Sequence, residues 1–70
     1  MPFMTSFERF DRIKGLLLGI ETALKIKFGP DALRLMPEIR EIYDYEILEK
    51  ILHAMETAAS PEELRRVWAP

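Results

Sequence analysis

Glu49, His53 and Glu56 stand at i, i+4 and i+7, the spacing that brings three side chains onto one face of a helix. A carboxylate, an imidazole and a second carboxylate in such a row have the donor chemistry to ligate a divalent metal. Metal sites in helical bundles, however, draw inward-facing ligands from several helices. The apolar residues of the same stretch, Ile47, Leu48, Ile51, Leu52, Met55 and Ala58, occupy its other side, so the row faces water together with Glu46 and Lys50. In the first helix only Glu21 is placed to add a ligand. The row reads as a solvated face, and no metal or other cofactor is expected.

The other group with chemical potential is basic. Arg9, Arg12, Lys14, Lys25 and Lys27 cluster in the first 28 residues, as a phosphate-binding element requires. They are spread around their helix and interleaved with Glu8, Asp11 and Glu21, whereas nucleic-acid readers concentrate charge on one side. The pI of about 5.3 points the same way. Nucleic acid is therefore not the expected partner. With one histidine on a wet face, no cysteine and the serines and threonines explained by helix caps, no nucleophile–base pair can be assembled. No catalytic residue is assigned, no enzyme is expected and no small-molecule ligand is implied.

Helix-boundary chemistry divides the chain. Thr5 and Glu8 fit a capping box that opens a long helix over residues 6–28. Gly29 supplies its C-terminal cap, and Pro30 suits the first position of the next helical segment. Pro37 removes a backbone donor and disfavours helical angles at Met36, which predicts two short pieces at about 30–35 and 37–42. Ala32, Leu35, Met36, Ile39 and Ile42 keep helical spacing and face one core. Asp44 caps a helix over about 45–58, with Tyr43 and Leu48 placed for a hydrophobic staple and Glu46 to Lys50 an i,i+4 pair. Ser60-Pro61-Glu62-Glu63 opens a last helix over about 61–68. Its Leu64, Val67 and Trp68 close the bundle, with Trp68 expected to be buried against Leu64 and the Ile51/Met55 face. No stretch alternates as a strand does and no internal repeat is present. The prediction is a single all-α domain over residues 1–70, a small helical bundle.

Seventy residues lie near the lower limit for one unstapled core, and the absence of cysteine excludes disulfides and thiolate metal sites. Residues 1–28 carry a net charge of +2 and residues 29–70 one of −4, which suggests that the first helix packs against an acidic remainder. Residues 1–4 lack the features of a signal peptide, and the uncharged apolar run 15–20 is too short to span a bilayer. A cytoplasmic protein without membrane contact is expected.

The first helix carries two apolar stripes. Phe10, Ile13, Leu17, Ile20, Leu24 and Phe28 form one face, and Gly15, Leu16, Gly19, Ala23 and Ile26 fall on a second sector about 100–180° away. A mid-helix glycine costs about 1 kcal/mol relative to alanine, so two of them imply a compensating close approach. That approach comes either from a covering helix of the same chain or from another copy. The second sector is accordingly the expected association face of a homodimer whose helices cross near Gly19.

The segments Lys14-Gly-Leu-Leu-Leu-Gly-Ile-Glu21, Leu24-Lys-Ile-Lys-Phe-Gly29, Leu35-Met-Pro-Glu-Ile39 and Ala58-Ala-Ser-Pro-Glu-Glu-Leu-Arg65 resemble a known helical tail. It follows the catalytic domain in many bacterial transposases of the Rpn-like, PD-(D/E)XK nuclease group. The likeness covers about residues 14–66, and its motifs are apolar and structural. That group's nuclease chemistry rests on acidic residues and a lysine in an α/β core, so no catalytic residue carries over to any position here. What the resemblance implies is the tail alone. The two apolar stripes of the first helix lead to a non-catalytic association module, and the alternative is a DNA-associated accessory fragment using Arg9, Arg12, Lys14 and Lys25.

Overall fold

The computed structural model describes residues 6–69, with side chains described from Phe10 onward. The elements are helix α1 (Ser6–Phe28), a 3₁₀ helix (Pro30–Leu35), α2 (Met36–Ile39), α3 (Tyr45–Ala54) and α4 (Pro61–Arg65). No strand occurs among the described residues, and the all-α expectation holds. At 1.5 Å per residue α1 is about 34 Å long, and it sets the long dimension of a body of 38 × 23 × 20 Å. The Thr5/Glu8 capping box lies outside the described residues and side chains.

α1 packs against α3 and against the 3₁₀ helix. Its Ile13, Ile20 and Leu24 are buried, with Leu17 and Phe28 half-buried beside them. They meet Ala32, Leu35, Met36 and Ile39 from the middle segment, Leu48, Ile51, Met55 and Ala58 from α3 and the turn after it, and Leu64 from α4. Every fully buried side chain is apolar, and no buried side-chain polar atom lacks a partner among the described residues. Phe10 departs from the expectation for this face and is 51% exposed. α1 is longer than the elements that cover it, so its first apolar position extends past them, and the Lys14 ammonium lies 5.2 Å over the Phe10 ring.

The Phe28-Gly29-Pro30 stop behaves as its chemistry dictates. Gly29 N–H donates to Lys25 O at 3.0 Å, and its φ of +92° and ψ of 173° fall where essentially only glycine is comfortable. Gly29→Ala is expected to destabilise the fold by about 1–3 kcal/mol through backbone strain alone. Space is not the issue, since no atom lies within 4 Å of an added Cβ. Chemical denaturation of the two proteins checks this, and an unchanged midpoint refutes it.

Pro37 breaks the middle segment in a different way from that expected. Met36 keeps helical angles (φ −59°, ψ −37°), and its N–H closes the last 3₁₀ bond to Leu33 O. Pro37 therefore stands in the first turn of α2, where a missing N–H is no loss. The interruption takes the form of a change of pitch from 3₁₀ to α.

Asp44 caps α3 as expected, its Oδ1 accepting from Glu46 N at 2.9 Å and Ile47 N at 3.3 Å. The staple does not form. Tyr43 is 71% exposed, because Leu48 is already enclosed by the core and leaves no outward surface for it. α3 ends at Ala54 rather than near 58, its last turn tightening into i→i+3 bonds such as Glu56 N to His53 O. α4 likewise passes after Arg65 into turns that carry Val67 and Trp68. Ser60 makes no side-chain cap, and half of the expected box is displaced by one residue: Glu63 Oε2 accepts from Ala59 N at 2.9 Å.

Three ion pairs occur among the described residues, Arg34–Glu62, Arg40–Glu21 and Arg65–Glu38. Only Arg40–Glu21, at 2.6 Å, ties α1 to the remainder, and there the acid belongs to α1. The charge asymmetry therefore does not set how α1 packs. Apolar burial does, with Lys27 Nζ adding a hydrogen bond to Met55 O at the end of α3.

Candidate association surface

The outer side of α1 is apolar at its centre. Leu18 is 65% and Ile26 80% exposed. At about 100° per residue Gly15 lies between them on the helix wheel and Gly19 about 20° beyond Ile26. Among the described residues no atom approaches within 4 Å of a Cβ built on either glycine. Of the two explanations for these mid-helix glycines, a covering helix in the same chain is thus removed. Thr22, also exposed, completes a stripe of Gly15, Leu18, Gly19, Thr22 and Ile26, with steps of three and four residues.

This stripe is not the sector anticipated from sequence. Leu16 and Ala23 are half-buried and packed against the core, whereas Gly15 and Ile26 are exposed and Gly19, itself half-buried, has open space where a Cβ would stand. A single chain covers more of α1 than its length suggested, because the 3₁₀ helix and α3 flank it on adjacent sides and widen the buried sector. Leu18 was missed for the complementary reason. It lies about 60° to the far side of Gly15 and belongs to neither expected stripe, yet its i+3 spacing from Gly15 and i−8 spacing from Ile26 carried the signal.

Charged residues border the stripe. Lys14 and Lys25 flank one edge and Arg12 the other, and Asp11 lies on the wheel between Leu18 and Thr22; all four are exposed and none is engaged in an ion pair among the described residues. The basic residues do not converge into a patch, and the side chain of Arg9 lies outside the described set. Glu49 is half-buried, while His53 and Glu56 are exposed. Among the described residues no group of three or more His, Cys, Asp or Glu is placed to hold a metal ion. Among the described residues no helix is long and apolar enough to cross a membrane.

At the opposite end, α4 docks on α2 through Glu38. Its carboxylate accepts from Arg65 at 2.8 Å and, at a long 3.4 Å, from the Trp68 indole N–H. Trp68 is half-buried rather than the fully buried plug expected, because its N–H reaches outward to this carboxylate. The hydrogen bond from Arg65 holds the Glu38 carboxyl below its ordinary value of 4.5; partial desolvation opposes this, and the Trp68 bond and the Arg65 charge assist it. A lowered carboxyl contributes stability above its unfolded value and loses it as pH falls through the folded one. Acidification below pH 4.5 should therefore loosen the α2–α4 contact. The emission of Trp68, the only tryptophan, reports it, and Glu38→Gln should abolish the step. The same acid transition in Glu38→Gln overturns the assignment.

In comparisons with known proteins the chain matches no family model, no curated protein and no solved structure.

Proposed function

We propose that this chain is a non-catalytic helical association module that pairs with a second copy of itself through the outer face of α1. The observation that carries this reading is the exposure of Leu18 and Ile26 beside two glycines with open space above them. Exposed apolar residues scattered singly are ordinary, whereas a contiguous stripe with polar borders is characteristic of protein contact surfaces. The glycines add a reason of their own, since each weakens α1 by about 1 kcal/mol relative to alanine with no contact inside the chain to compensate. Two-fold pairing is the commonest closed arrangement of identical chains. The resemblance to the helical tail of the Rpn-like transposase group fits the same reading, because that stretch lies outside the family's catalytic core.

The test is solution mass by sedimentation or light scattering at micromolar concentration, on the parent and on Leu18→Glu. The parent should be a dimer and Leu18→Glu a monomer of unchanged helicity, since residue 18 makes little contact within its own chain. A monomeric parent overturns the proposal. So does a parent that stays monomeric and binds duplex DNA with an affinity falling steeply in salt, which would instead assign Arg12, Lys14 and Lys25 to phosphates.

A further inference from the structure

We draw no further inference here: the strongest candidate, the exposed outer face of α1 around Leu18 and Ile26 with its charged border, belongs to the association surface already described, and nothing in the structure shows what covers it.

Discussion

Replacing Leu24 by alanine is expected to cost about 2–5 kcal/mol, most of the stability this chain can hold. A domain of 70 residues has roughly 0.05–0.15 kcal/mol per residue available, a total of the same order as that single truncation. Leu24 is 0% exposed and belongs to the core that α1 forms with α3 and the 3₁₀ helix, so the cavity opens inside that core. Collapse to fill it is hindered by the close packing of the same core, whose Ile20, Leu48 and Ile51 are also fully buried. The appropriate control is Tyr43→Ala, which removes a larger side chain from a position that is 71% exposed. It should shift stability by no more than about 0.5 kcal/mol. Urea denaturation monitored by circular dichroism distinguishes the two, and equal costs would contradict a core centred on Leu24.

Much of this architecture was legible in the chain because helix boundaries depend on local chemistry. Asp44 satisfies backbone donors two and three residues away, and Gly29 adopts an angle set by its own lack of a Cβ. Neither needs knowledge of the rest of the fold. The periodicity that buries Leu48, Ile51 and Met55 is local in the same sense. The features that sequence left open depend on neighbours distant along the chain. Tyr43 and Leu48 have staple spacing, but whether the staple closes depends on how much of Leu48 the core already covers. Trp68 has the spacing of a core residue, but Glu38, thirty positions earlier, draws its indole N–H outward. The outer face of α1 shows the same limit. A helix wheel ranks Leu16, Leu18 and Ala23 by angle alone, and only the placement of the 3₁₀ helix and α3 determines that Leu16 and Ala23 turn inward while Leu18 remains outside.

Leu64→Ala is expected to have a cost in the same range, about 2–5 kcal/mol, but to express it differently. α4 has five residues, too few to hold a helix by itself in water. Within it only Leu64 is fully buried, and the remaining ties to the middle segment are the Arg34–Glu62 and Arg65–Glu38 pairs, both exposed. Exposed pairs contribute about 0–1 kcal/mol each, less than the apolar anchor they surround. Removal of that anchor should therefore release the segment from Pro61 onward while α1, the 3₁₀ helix and α3 remain packed on one another. Amide hydrogen exchange is the direct reading. Protection at Val67 and Trp68, whose amides bond to Leu64 O and Arg65 O, should vanish first, while protection within α1 and α3 persists at a lower level. Trp68 emission should shift toward that of a solvated indole in the same variant, without an equal loss of helicity. Simultaneous and equal loss of protection in α1, α3 and the C-terminal turn would mean that the chain unfolds as one unit. In that event Leu64 would belong to the same cooperative core as Leu24, and α4 would not be a separately docked segment.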